Sequence, residues 1–393
     1  MVNYTENSSL LEVEHGHAYF EPGPGSLCTQ LKFFLTRSPL NLLLLFVPLG
    51  LISDHVGWST TATFTLNFFS IIPLASLLGL ATEDVAAKMG QTIGGLLNAT
   101  FGNAVELIVS VLALRRGLLR VVQSSLLGSI LSNLLLVLGL CFFCGGCKYP
   151  EQSFNVTAAQ TNSSLLGMVV LSLLIPAAFN NLVGDQKEIH SSIMKLSHGT
   201  AIILLIVYVA YLLFQLKTHN HLFESEEAEE EDANMSLGVS IGCLFLVTFI
   251  VSFCAEALVG SIEGLTKQLG LSETFVGIIL VPIVGNAAEH MTAVTVAMKN
   301  KMDLSLSVAL GSSMQIALFV TPILVLIGWI IGQPLSLFFD TFETTVLFIS
   351  VLIVNYLIQD GKSNWLEGLT LLAAYFIIGM AFFFYPQTLD AHP

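Results

Sequence analysis

Residues 281–294 read VPIVGNAAEHMTAV, and residues 100–111 read TFGNAVELIVSV. Each places a glutamate, Glu289 or Glu106, inside a long apolar run. A shift of 183 residues carries Gly102-Asn103-Ala104-Val105-Glu106 onto Gly285-Asn286-Ala287-Ala288-Glu289. The same shift, with no gap, carries Gly128-Ser129 onto Gly311-Ser312 and Gly94 onto Gly277. Motifs about 25 residues apart that keep one offset point to an internal repeat rather than to chance likeness of apolar sequence.

The chain around these motifs has 393 residues, of which 54% are hydrophobic and 11% charged, with a mean hydropathy of +0.79. Soluble domains carry about 25% charged residues. Apolar stretches recur along nearly the whole length, so the chain reads as an all-α integral membrane protein, because lipid leaves backbone polar groups no partners outside their own helix. The non-alternating runs exclude a β-barrel.

Eleven transmembrane helices are expected, arranged as one helix plus two inverted five-helix repeats. The boundaries are an amino-terminal tail at 1–32, a first helix at 33–55, a first repeat at 56–216, an acidic segment at 217–234, a second repeat at 235–385 and a tail at 386–393. An odd number of spans per repeat turns the second upside down relative to the first, which puts a substrate site at the midplane between them.

The net charge is −14, and half of it comes from ESEEAEEED at residues 224–232. With no basic stripe, a nucleic-acid partner is not expected. Cys141, Cys144 and Cys147 recur every third residue but lack a fourth nearby ligand, and read as small hydrophobes at a helix end. No nucleophile–base pair or catalytic metal set is evident, so the chain is not expected to be an enzyme.

A carboxylate at mid-bilayer costs about 2.5–3.5 kcal/mol on translocon scales. Two at equivalent repeat positions imply a cavity or a cation. Asn103 and Glu106 are three apart, as are Asn286 and Glu289, so each pair shares a helix face. Carboxylate and amide oxygens suit a hard cation such as Ca²⁺, which takes six to eight oxygens. Pro282 removes a helix hydrogen bond nearby and frees a carbonyl.

The adjoining spans add Ser129, Ser132, Asn133, Ser312, Ser313 and Gln315, of which Ser129, Ser132, Ser312 and Gln315 are counted as candidate ligands. His290, next to Glu289, points about 100° away and is a candidate proton or gating group. Two close carboxylates resist joint ionisation and are neutralised either by one divalent cation or by protons. That competition is a physical basis for antiport. Glu83, at a span end, and Glu227, Glu230 and Glu231 in the acidic segment form a candidate funnel concentrating cations at the entrance.

TIGGLLNATFGNAVELIVSVLAL, VPIVGNAAEHMTAVTVAMKNKMDLSLSVALGSSMQIALFVTP and the acidic run between them closely resemble the vacuolar Ca²⁺/H⁺ exchangers of the calcium/cation antiporter superfamily. The likeness runs from about Ser38 to Tyr385 and includes SNWLEGL near the end. It implies eleven spans, a cytosolic amino terminus and acidic segment, and a vacuolar membrane. It also implies that Glu106 and Glu289 exchange Ca²⁺ for protons with Asn103 and Asn286 as partners. No cofactor is implied beyond Ca²⁺ as transported substrate, and the oligomeric state stays open. A Ca²⁺ channel, a sodium-coupled exchanger and an intramembrane enzyme are the competing readings.

Overall fold

The computed structural model describes residues 26–180, 186–222 and 235–385, nearly all of them helical. Eight helices are long and apolar enough to span a bilayer: α3 (Thr60–Lys88), α6 (Leu119–Lys148), α7 (Val156–Asn180), α8 (Glu188–Thr218), α9 (Leu237–Leu269), α10 (Glu273–Ala297), α11 (Met302–Ile331) and α13 (Trp365–Phe383). Two bent pairs, α1 (Leu27–Thr36) with α2 (Pro39–Ser53) and α4 (Gln91–Phe101) with α5 (Ala104–Arg115), raise this to ten if each is one span. Helix α12 (Thr341–Leu357) is apolar but shorter. The expected eleven is reached only when both bent pairs and α12 are each counted as a span. Many side chains on the outer faces, such as Phe245, Phe249, Ile330 and Phe376, are large, apolar and exposed, as a bilayer-embedded surface requires.

The first apolar segment is not straight. It bends by 98° at Arg37–Ser38. Ser38 is extended and caps the next turn through Leu40 N at 3.3 Å, and Pro39 both begins that turn and disfavours helix at the residue before it. Helix α1 therefore starts at Leu27, inside the stretch read from sequence as tail.

The structural spine is the antiparallel packing of α3 on α9. At its far end Gln268 accepts hydrogen bonds from Thr61 Oγ1 at 2.7 Å and Thr60 Oγ1 at 3.5 Å. At the other end Lys88 pairs with Asp84 at 2.5 Å and donates to the Met235 carbonyl, while Ser240 donates to Asp84. Those contacts anchor the start of α9 just after the acidic segment, whose residues Glu227, Glu230 and Glu231 lie outside the described residues. Not every element is helical: β1 (Gln152–Ser153) and β2 (Lys362–Ser363) pair antiparallel between two interhelical loops.

Wide, π-helical turns punctuate the helices at Ser132–Val137 in α6 and Ile316–Val320 in α11. These positions correspond under the 183-residue shift. In α11 the wide turn precedes Pro322, and the Ile316 carbonyl accepts from both the Thr321 N–H and, at 2.8 Å, Thr321 Oγ1. Helix α10 has the same device at Val276–Leu280, just before Pro282.

Candidate functional site

The two acidic motifs meet across the repeats in a crossed pattern. The Glu106 carboxylate lies directly on Gly285, where a Cβ would collide with Oε1. The Glu289 Oε1 lies 3.8 Å from where a Cβ on Gly102 would sit. Gly285 thus makes room for the other motif's acid, which a residue with a Cβ could not do, while Gly102 faces Glu289 at ordinary van der Waals distance.

The amides and hydroxyls cross in the same way. Asn286 Nδ2 donates to Ser129 Oγ at 3.3 Å, and Ser312 Oγ donates to Asn103 Oδ1 at 3.5 Å. Asn103 Nδ2 donates to Gln315 Oε1 at 2.5 Å. Asn133 Nδ2 donates to Ser312 Oγ at 3.0 Å, and the same hydroxyl interacts with the Glu289 carboxyl group. Asn103, Asn286, Ser129, Ser132, Asn133, Ser312 and Ser313 are all buried.

The acids themselves are left wanting. Glu106 is 8% exposed, and neither of its carboxylate oxygens has a hydrogen-bond partner among the described residues; the same holds for Glu289 Oε2. Buried polar oxygens without partners carry a desolvation penalty that a proton or a cation relieves. Beside Glu106 is a cavity of about 20 Å³, lined among others by Ser110, Ser125, Ser129 and Gly285. That is room for about one water or one small ion. Among the described residues no three of His, Cys, Asp and Glu gather to hold a metal. A cation at this crossing would therefore take two carboxylates and a set of neutral oxygens, a mixture suited to Ca²⁺.

The local chain explains how each acid is presented. In the first repeat the helix breaks by 45° between Phe101 and Ala104. Asn103 becomes the residue ahead of α5, with no side-chain cap bond, and Glu106 falls in the first turn. The unpaired N–H groups of that turn favour an acid there. In the second repeat α10 runs unbroken through Gly285, and Glu289 sits mid-helix.

The other sequence-derived candidates fall into place around this centre. Ser129, Ser312 and Gln315 join the crossing directly. Ser132 is placed instead against His290, with Oγ and Nε2 3.5 Å apart, so the two form a flank of the site. Glu83 is exposed at the end of α3. Cys141 is buried, but Cys147 is exposed, so the cysteine stripe is not wholly interior. Ser110 and Ser125 were not singled out from sequence. The signal was present, since Ser110 follows Glu106, and Ser125 precedes Ser129, by one helical turn. A buried clamp was also missed: Arg120 makes two hydrogen bonds to Glu343, at 2.9 and 3.1 Å, and one to Thr274 at 3.3 Å.

Two repeats of opposite orientation, crossing at an acidic pair on broken or widened helices, define a secondary-transporter architecture. The chain belongs to the sodium/calcium exchanger protein family, which it matches over residues 59–217 and 239–384. It is 54% identical over 359 residues to a vacuolar calcium ion transporter of Schizosaccharomyces pombe, covering 91% of this chain and 87% of that one. It is 48% identical over 362 residues to a Ca²⁺/H⁺ antiporter of Aphanothece halophytica, covering 88% and 96%. The solved structure of native YfkE superposes with a TM-score of 0.77 at 41% identity, covering 88% of this chain and 100% of that one.

Proposed function

We propose that this protein is a Ca²⁺/H⁺ antiporter that moves cytosolic Ca²⁺ into an acidic, vacuole-like compartment in exchange for protons. The observation that carries the reading is the crossed pair of buried glutamates whose oxygens lack protein partners. Such a pair is stable when a divalent cation bridges it or when protons neutralise it, and one occupant excludes the other. Asn103, Asn286, Ser129, Ser312 and Gln315 supply the neutral oxygens, and His290 with Ser132 lines the flank through which protons pass. The names of the relatives support the same ions, and the name of the fission-yeast relative supports the vacuolar membrane.

The amino terminus and the acidic segment 217–234 face the cytosol in this scheme, where Glu83, Glu227, Glu230 and Glu231 draw cations toward the entrance. The chain carries out transport rather than catalysis and uses no cofactor. The test is ⁴⁵Ca²⁺ uptake into vesicles of stated lumenal pH. Uptake should follow an imposed proton gradient and stop when that gradient is collapsed. Uptake that persists without it points to a channel, and uptake that follows an imposed sodium gradient instead points to sodium coupling.

A further inference from the structure

A groove of about 480 Å³ opens between α5 and α9, away from the crossing. Its walls are Leu107, Ile108, Val111 and Leu112 of α5 and Ser252 and Phe253 of α9, with Arg115 and Glu256 at its rim. Helix α5 therefore has two working faces. Glu106, Val109 and Ser110 look into the ion cavity, while the residues next to them line the groove.

The walls lie within spans, so what surrounds the groove is lipid rather than water. The rim is charged. Glu256, 58% exposed, pairs with Arg116 at 3.7 Å, and Arg116 lies flat on Gly260, where a Cβ would stand 2.5 Å from its guanidinium. Arg115 is also exposed, and among the described residues it has no hydrogen bond or ion pair. Two arginines and one glutamate leave the rim with one uncompensated positive charge.

The repeat makes the contrast sharper. Under the 183-residue shift Arg115 falls on Met298, and the groove residues Leu107 and Leu112 fall on His290 and Thr295. The second repeat therefore lacks the continuous apolar wall, and its cation is Lys299, at the position of Arg116 rather than of Arg115.

We propose that this groove binds one anionic phospholipid of the surrounding bilayer, with an acyl chain along α5 and the phosphate on Arg115. A planar guanidinium takes phosphate oxygens in pairs. Glu256 is already engaged by Arg116, so it offers a zwitterionic headgroup's cation little. A ligand of net charge −1 matches the rim and a neutral one does not. The inference rests on the groove and its rim alone, and stands or falls separately from the ion assignment.

The test is native mass spectrometry of the full chain in detergent, with phosphatidylglycerol and phosphatidylcholine of identical acyl chains in competition. The parent protein should retain phosphatidylglycerol with about fivefold preference, the size that one Arg provides near an anionic surface. Arg115→Gln should reduce that preference to within about twofold, and Arg115→Lys should restore much of it. Leu112→Trp, which fills the groove and leaves Arg115 in place, should lower retention of both lipids. Equal retention by the parent, a preference that survives Arg115→Gln, or unchanged retention in Leu112→Trp would each overturn the proposal. So would an oligomer that Leu112→Trp dissociates, because the groove would then belong to a second copy of the chain.

Discussion

The first half of α10 and its repeat counterpart, α4, start from similar sequence and end in different surroundings. Residues Val276–Leu280 of α10 pack tightly on α6: a Cβ on Gly128 would collide with the Ile278 carbonyl, and one on Gly277 would collide with Ser124 Oγ. The equivalent of Gly128 is Gly311, which has nothing within 4 Å. Helix α4 instead bends away by 45°, with Ile93 and Leu96 exposed. The α10 side is also clamped, by Arg120 to Thr274 and Glu343. The residue matching Arg120 is Asp303, which accepts a hydrogen bond from Asn155 N at 2.6 Å.

Two copies of one design thus hold two conformations at once, closed on the α10 side and open on the α4 side. If the cycle exchanges these roles, the asymmetry seen here is one half of alternating access.

That comparison is open to direct attack. Its centre is tested most severely by Glu106→Gln and Glu289→Gln, each of which should reduce pH-driven ⁴⁵Ca²⁺ uptake to background. Ordinary uptake by either variant removes that residue from the site. The clamp comes next. Arg120→Gln leaves the fully buried Glu343 without its cation and should cost about 3–5 kcal/mol of stability, read as thermal unfolding in detergent. A joint Arg120→Met and Glu343→Leu replacement should recover most of the loss.

The tight and loose glycines should then part company. Gly128→Ala overpacks the α6–α10 contact and should cost about 1–3 kcal/mol. Gly311→Ala meets open space and should leave thermal unfolding unchanged while slowing transport, because α4 must close over it later in the cycle. Matching transport rates for Gly311→Ala and parent would mean that α4 does not make that movement. The smallest effect belongs to the amides. Asn286→Ala removes one neutral oxygen and should weaken apparent Ca²⁺ affinity about tenfold, roughly 1.4 kcal/mol, with turnover at saturating Ca²⁺ largely kept. A drop in turnover alone would instead assign Asn286 to helix packing through its bond to Ser129.

The acidic pair, its amide neighbours and the repeat offset were legible because each depends on local spacing. A glutamate in an apolar run is conspicuous for its desolvation cost, and a helical period of 3.6 puts Asn and Glu three apart on one face whatever the partner helix is. The kinks were less legible. Pro282 drew attention to the second repeat, yet the break occurs in the first, at Gly102–Asn103. A proline near the start of a helix is accommodated by a preceding wide turn, whereas Gly102, with no side chain to restrict its backbone, lets the chain bend.

Sequence by itself determined the membrane-spanning helical class, the twofold repeat and the two acids, since those follow from hydropathy and local periodicity. Only the tertiary structure decided that Glu106 rests on Gly285 of the other repeat, that Arg120 finds Glu343 across 223 residues, and that one side is packed while the other stands open. Those contacts join residues far apart in the chain, and their distances are set by how whole helices pack, a quantity that no short stretch of sequence contains.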